Sequence, residues 1–374
     1  MSTREARRKA ILHSLGVDRT VADEIVAADP LPYTLDPGKV PASLPLADEP
    51  LAECWSEWAS DAAREGAYAV LRRHLIQLRF PVREGMSADE AYLAATRKGH
   101  FHAADPFAPG LELRSPETVE LQMVASICGR VPVVTAGDRS DFVALVQALT
   151  GRNEPEPVPD SMGACLVKGL NNWSRVELYR QAWTERTGQS DAAAWAEEFK
   201  RLIPQRELYQ DRLVLLSRGP YSATPALALG LTESDWIEQS VAIRREHELT
   251  HYFTYWLFGT MRSHVVDELV ADFVGLVRGS GRYRATWALQ FLGLEKHPAY
   301  RPGGRLENYR GELSAAAFEA VQALAVRAAH NIESVSAARA IGPDDLHALA
   351  ELALALIGLS LEELASDQLS DLVG

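Results

Sequence analysis

The chain has 374 residues, of which 47% are hydrophobic and 24% are charged, and its formal net charge is -13. This length and composition indicate a globular protein with a sizeable core and a length typical of two or three domains. The acidic balance argues against an extended nucleic-acid surface and leaves room only for a local basic patch.

The N-terminal sequence and the cysteines bear on the compartment of the protein. The first nine residues are charged and lack an apolar segment, so we expect no secretory signal peptide. The sequence has no uncharged apolar run of about 18 residues, which a spanning helix needs. Cys54, Cys128 and Cys165 are odd in number and far apart, which argues against a disulfide framework. We therefore expect a cytoplasmic protein with neither a membrane nor a nucleic acid as partner.

The first 150 residues are predicted to form a helix-rich domain of mixed structure. Its elements follow from hydrophobic periodicity, proline content and capping residues. In chain order they are two short helices within 2–29 that break near Gly16, an irregular proline-rich stretch over 30–50, a long helix over 51–78, a helix that starts at Ser87 with Glu90 as its capping-box carboxylate, a strand over 131–135 and a helix over 141–149.

A linker over 151–160 is predicted to end this domain, because prolines recur there and no apolar periodicity is present. The remaining residues, 161–374, are predicted to form a second domain with a small sheet and a helical tail. Its elements are strands over 164–168 and 212–217, helices over 173–186 and 190–202, a long helix that starts at Thr232, and helices within 312–366. The predicted fold class is α+β and mainly helical.

The long helix carries the sequence His247-Glu248-Leu249-Thr250-His251, which is the H-E-x-x-H pattern of helical zinc sites. Histidines four residues apart lie one above the other on a helix, so both can reach one ion. Glu248 lies about 100° around the helix axis, which directs its carboxylate towards a metal-bound water rather than the metal. That position suits a general base, because a zinc-bound water has a pKa of about 7.

A second helix supplies two carboxylates, Glu268 and Asp272, which are four residues apart and share one face. In an antiparallel hairpin, one register places Glu268 level with His251 and Asp272 level with His247, since both pairs of residue numbers have the same sum. Glu268 then fits a third ligand, and Asp272 fits a carboxylate that orients His247 through a hydrogen bond.

The turn between the two helices has its own predicted features. Gly259 is a natural helix stop, and Ser263 can cap the second helix. His264 lies one turn before Glu268 on the same face. It could contact a substrate, replace a ligand or have only a structural role, and the sequence leaves these alternatives open.

Residues 245–277 resemble the gluzincins, the thermolysin-like zinc metallopeptidases, in which H-E-x-x-H is followed by Glu-x-x-x-Asp on a second helix. The same stretch is similar to that of an uncharacterised bacterial family. The gluzincin resemblance implies a zincin-like helix pair and a zinc ion with an open fourth position, which is typical of catalytic sites. The residues it implies are the zinc ligands His247, His251 and Glu268, the base Glu248, and Asp272 behind the ligands.

The resemblance implies a zinc-dependent hydrolase that cleaves a peptide or other amide bond. One departure is the charged run Arg244, Arg245 and Glu246, which stands where zincin helices usually have uncharged residues. Two alternatives stay open: a metalloenzyme acting on a small biosynthetic intermediate, and a non-catalytic binding scaffold stabilised by metal. The sequence does not fix the oligomeric state, and similar ligand sets also bind iron, cobalt or nickel.

Amide hydrolysis by this route needs a donor for the negative oxygen that develops at the attacked carbonyl. Candidates lie around and after the second helix, partly in a loop rich in proline and glycine. Several of the arginines could instead bind a substrate carboxylate, and each arginine could be only a solvated surface group. The candidates are His264, Arg282, Tyr283, Tyr309 and Arg310, with Arg284, His297, Tyr300, Arg301 and Arg305 as further possibilities.

Overall fold

A computed structural model describes residues 3–28, 32–36, 38, 40–260, 262 and 264–374 of the chain. The fold is α+β and mainly helical, with one small mixed sheet among the described residues, which confirms the predicted fold class. Within the same residues, no helix combines the length and the hydropathy that crossing a bilayer requires.

The chain divides into two compact units. The predicted linker over 151–160 does not coincide with this division, because strands on both sides of the linker pair in one sheet and therefore belong to one unit. The observed division replaces the predicted domains 1–150 and 161–374. Unit 1 consists of Met1–Leu46 with Gly219–Gly374, and unit 2 consists of Ala47–Arg218.

The helices and strands are as follows in chain order. Unit 1 begins with α1 (Thr3–Ser14) and α2 (Arg19–Ala28). Unit 2 contains α3 (Leu51–Glu65), α4 (Ala67–His74), α5 (Glu90–Lys98), β1 (Glu120–Ser126), β2 (Gly129–Ala136), α6 (Arg139–Leu149), β3 (Ala164–Asn171), α7 (Trp173–Thr187), α8 (Ala192–Leu202) and β4 (Gln210–Ser217). Unit 1 continues with α9 (Glu233–Phe258), α10 (Val265–Ser280), α11 (Ala285–Leu292), α12 (Ala315–Ala338), α13 (Leu346–Ile357), α14 (Leu361–Leu364) and α15 (Leu369–Val373).

The sheet of unit 2 has the strand order β1-β2-β4-β3. The pairs β1–β2 and β3–β4 are antiparallel, and β2–β4 is parallel. The sequence pattern predicts β2, β3 and β4 but does not predict β1. The predicted helix over 51–78 is divided, because Gly66 adopts a φ of 90° between α3 and α4. The helix predicted to start at Ser87 begins at Glu90 instead, where the Asp89 carboxylate accepts from the backbone N–H groups of the first turn.

Unit 1 is organised around the hairpin of α9 and α10. Leu249, Phe253, Leu269 and Phe273 have no exposed surface. Helix α10 also contacts α11, α12 and α13, and its residues are buried on every face from Val265 to Val277. A helix that is apolar around most of its circumference must be enclosed in this way. The hairpin is therefore a rigid element from which side chains can be positioned.

Two glycines of α10 allow the helices of this hairpin to approach closely. A Cβ atom at Gly275 would lie 2.9 Å from the carbonyl oxygen of Ile243 in α9. A Cβ atom at Gly279 would lie 2.7 Å from the backbone nitrogen of Ile243. Both distances are shorter than normal van der Waals contact. The close spacing of the two helices therefore requires glycine, which has no side chain, at both positions.

Replacement of Gly279 by alanine is expected to destabilise the protein by about 1–3 kcal/mol, because the new methyl group overpacks the interface. This cost exceeds the gain of about 1 kcal/mol that alanine brings within a helix. Gly342→Ala is the matched control, since its Cβ would meet nothing within 4 Å. Denaturant unfolding measures both variants. Equal stability of the two would contradict a close approach at Gly279.

Candidate metal centre

Local sequence fixes where the two helices of the hairpin begin and end. The Thr232 hydroxyl accepts from the backbone N–H of Asp235 at 3.2 Å, which confirms the predicted start of α9. Gly259, with a φ of 70°, ends α9 as predicted. The predicted cap Ser263 lies outside the described residues. His264 is the N-cap of α10, and its Nδ1 accepts from the backbone N–H of Val266 at 3.3 Å.

The hairpin brings His247, His251 and Glu268 together, with one potential ligand atom of each within 4.8 Å of the others. The Nε2 atoms of the two histidines are 3.1 Å apart. Glu268 Oε2 lies 3.5 Å from His247 Nε2, and Glu268 Oε1 lies 3.5 Å from His251 Nε2. All three side chains are buried. The register that the sequence predicts between His251 and Glu268 is present.

These separations are compatible with a shared tetrahedral ion. Ligands bound to zinc at about 2.0–2.1 Å with tetrahedral angles lie about 3.3–3.4 Å from one another. Two imidazole nitrogens and one carboxylate oxygen are also ligand types that zinc accepts. The same set accepts cobalt, nickel or iron. The residues therefore fit a transition-metal ion, and their chemistry alone does not distinguish zinc from cobalt, nickel or iron.

Two groups contact His247 on the ring side away from the cluster. Its Nδ1 lies 3.0 Å from Asp272 Oδ1 and 2.8 Å from the hydroxyl oxygen of Tyr221. The Tyr221 hydroxyl donates to the same Asp272 oxygen at 2.7 Å. A carboxylate next to Nδ1 favours a proton on that nitrogen, which leaves the lone pair of Nε2 directed at the cluster. The predicted pairing of His247 with Asp272 is present.

Arg305 joins the two carboxylates of the site. One guanidinium nitrogen donates to Asp272 Oδ2, and Nη1 donates to the Tyr221 hydroxyl at 2.7 Å. Its Nε lies 3.5 Å from Glu268 Oε2. The guanidinium thus contacts both Glu268 and Asp272.

The surrounding charges perturb the acid–base properties of the cluster. Burial disfavours ionisation of Glu268, but the hydrogen bond from His251 and the charge of Arg305 outweigh it and lower the pKa of Glu268. Burial likewise opposes ionisation of Asp272, whose pKa is lowered by Arg305 and by the hydrogen bond from His247. For His251, burial is outweighed by the bond to Glu268 and its charge, which raise the pKa to about 9. Both carboxylates are therefore ionised at neutral pH.

Glu248 and Tyr309 are the other predicted residues beside the cluster. Glu248 is partly exposed, and its charge acts on His251. Tyr309 lies in the 3-10 helix Arg305–Tyr309. Burial and the charge of Glu268, together with a hydrogen bond to it, raise the pKa of the Tyr309 hydroxyl.

The structure does not bring the other predicted donors to the ligand atoms. Arg282 is exposed beyond the end of α10, about 20 Å along the helix axis from Glu268. Tyr283 is buried, and its ring packs on Phe273. Arg310 pairs with Glu307 at 3.3 Å and lies over the ring of Phe318. Of the further candidates, His297 is exposed, Arg284 lies over Trp287, Tyr300 donates to Gly304 and Arg301 pairs with Glu295.

The charged run before the motif has partners inside the protein. Arg244 donates to the backbone carbonyls of residues 219 and 220 at 3.2 and 3.0 Å. Glu246 is fully buried and lies 3.1 Å from Arg245 and 3.4 Å from Arg278 of α10. These ion pairs explain how a buried helix tolerates charge where zincins usually have none.

Tyr221 is the site residue that sequence reasoning misses. It lies in a 3-10 turn, Tyr221–Ala223, in which Ser222 and Ala223 have φ values of 51° and 52°. Residues other than glycine seldom adopt this left-handed conformation, and they concentrate at functional sites. The backbone N–H of Tyr221 donates to the hydroxyl of Ser240 at 2.9 Å, which connects the turn to α9. A lone tyrosine in a loop carries no spacing pattern that would reveal this role.

Comparisons with known proteins identify the family of the chain but no activity. No curated protein and no solved structure matches the chain. One family model matches residues 10–368, which is nearly the whole sequence. The chain therefore belongs to DUF7005, a family of unknown function.

Proposed function

We propose that the protein is a zinc-dependent hydrolase that cleaves a peptide or other amide bond. The observation that carries this proposal is the convergence of His247, His251 and Glu268 beside the partly exposed Glu248. Three protein ligands leave one position of a tetrahedral ion open, as in catalytic zinc sites. The resemblance of residues 245–277 to the gluzincins supports the same activity. We also propose a cytoplasmic location, on the cysteine usage of the sequence.

The residues of the cluster have distinct roles in the proposed reaction. When bound, zinc would act as a Lewis acid and lower the pKa of a water to about 7. His247 and His251 present ring nitrogens, and Asp272 holds His247 in the required orientation. Glu248 takes the proton of the attacking water and returns it to the leaving amine. Of the predicted donors, we assign oxyanion stabilisation to Tyr309, because its hydroxyl lies beside Glu268.

Metal analysis tests the proposal most directly. Protein purified without chelators is expected to contain about one zinc ion per chain, measured by elemental analysis. Removal of the metal by a chelator is expected to abolish hydrolysis of a responsive substrate, and added Zn2+ should restore it. Peptides and small amides are screened in parallel, since turnover of small amides alone would indicate a biosynthetic intermediate as substrate. A chain that binds none of Zn2+, Co2+, Ni2+ or Fe2+ would refute a metal site.

A further inference from the structure

Arg305 contacts acidic and polar side chains of the cluster. Two of its guanidinium nitrogens donate to Asp272 and Tyr221, and its Nε lies 3.5 Å from Glu268 Oε2. The side chain is 15% exposed, while that of Asp272 is fully buried. Burying a charge is costly unless it is paired, and Arg305 has two carboxylates as partners.

The charges around Arg305 indicate that its guanidinium balances two carboxylates. Glu268 and Asp272 lie one turn apart on α10, and the guanidinium of Arg305 contacts both carboxylates. Two buried carboxylates in this position repel each other and need a nearby cation. Arg305 supplies one positive charge to the pair, and a divalent metal bound at the ligands would supply two more. The guanidinium and the metal therefore interact with the same negative charge.

The turn that carries Tyr221 holds Arg305 in place. Its Nη1 donates to the Tyr221 hydroxyl at 2.7 Å and to the Ser222 hydroxyl at 3.2 Å. The same turn is bound to α9 through Arg244, which donates to the backbone carbonyls of residues 219 and 220. A guanidinium held by hydrogen bonds to Tyr221 and Ser222 is a preorganised charge rather than a mobile surface group.

We propose that Arg305 is an internal counter-ion that keeps the site assembled without a metal and thereby weakens its affinity for a divalent cation. The inference rests on the proposed metal site. Arg305 acts through Glu268 and Asp272, so it is a positioning residue. The hairpin then does not depend on metal for folding, and the repulsion between the guanidinium and the ion favours reversible loading.

Variants of Arg305 test this inference by thermal unfolding and calorimetric titration with Zn2+, after dialysis against a chelator. Without metal, Arg305→Gln is expected to lower Tm by about 5 °C or more, because two buried carboxylates lose the guanidinium that contacts both. It is expected to bind Zn2+ about tenfold more tightly than the wild type and to gain more in Tm when loaded. Arg305→Lys, which keeps the charge, is expected to lose less Tm than Arg305→Gln.

Two further variants serve as controls. The double variant Arg305→Gln/Asp272→Asn removes one charge of each sign, so it is expected to recover most of the Tm lost without metal. Arg301→Gln is the matched arginine control, since Arg301 pairs with Glu295 and donates to the Gln290 carbonyl. It is expected to leave Zn2+ affinity unchanged.

Several results would overturn the inference. These are weaker Zn2+ binding by Arg305→Gln than by the wild type, an unchanged Tm without metal, or no recovery in the double variant. If Arg305→Gln does not fold, a folded double variant supports the counter-ion role and an unfolded one opposes it. If no variant binds Zn2+, the proposed function fails, while the Tm values without metal still decide whether Arg305 balances the carboxylates.

Discussion

Replacement of Glu248 by glutamine is expected to lower kcat/KM for the hydrolysed substrate by about 10²–10⁴-fold, because the amide cannot accept the proton of the attacking water. Zinc content is expected to stay at the wild-type level, since Glu248 is not one of the three converging ligands. Steady-state kinetics and elemental analysis of the same preparation measure both quantities. The combination of lost activity and retained zinc distinguishes a base from a ligand.

The control for this variant is Glu351→Gln. Glu351 is an exposed carboxylate that pairs with His347 on the surface of α13. Its replacement removes one negative charge from unit 1 without altering the cluster, and activity is expected to stay unchanged. A Glu248→Gln protein that contains zinc and keeps full activity would eliminate the proposed mechanism.

Replacement of His251 by alanine is expected to weaken Zn2+ binding by more than about 100-fold. Loss of a group that only supports a ligand already costs 10–100-fold in affinity, so loss of a ligand should cost more. Calorimetric titration and metal analysis of the purified variant measure the effect. Hydrolysis is expected to fall with metal occupancy.

His347→Ala provides the matched comparison. His347 is exposed, and its Nδ1 contacts the carbonyl of Leu44 at 2.8 Å. It is expected to bind Zn2+ as the wild type does. Stoichiometric zinc in His251→Ala would show that the ion lies elsewhere, and the assignment of the ligand set would then be wrong.

The sequence predicts the hairpin and its register because both depend on local regularities. Helical periodicity fixes which side chains share a face, and a short turn makes the helices antiparallel. The distances from His251 to Glu268 and from His247 to Asp272 confirm that register. The group of proposed ligands, His247, His251 and Glu268, can therefore be predicted from the sequence.

The surroundings of the ligands could not be predicted in the same way. Tyr221 precedes the motif by 26 residues, and its contact with His247 exists only because the chain folds back. Arg305 is one of several candidate arginines in the sequence, and its place is decided by the burial of Asp272 and Glu268. Such roles depend on tertiary proximity, for which a single sequence contains no spacing rule.

The division of the chain shows the same limitation. A proline-rich stretch over 151–160 predicts irregular backbone, and irregular backbone occurs within domains as well as between them. The pairing of β2 with β4 joins residues more than 70 positions apart and places both sides of the stretch in one unit. Strand pairing across such separations cannot be inferred from local composition.

The two glycines of α10 have a consequence for ion selection. Close contact of Gly275 and Gly279 with Ile243 fixes the spacing of α9 and α10 near His247. The backbones that carry the ligands therefore have little freedom to adjust to the radius of an ion. Calcium bonds oxygen at about 2.3–2.6 Å and takes six to eight ligands, whereas zinc needs shorter bonds and four. For the proposed metal site, a hairpin of fixed width would favour ions with short bonds and few ligands, and the packing of Gly275 beside His247 would help to select them.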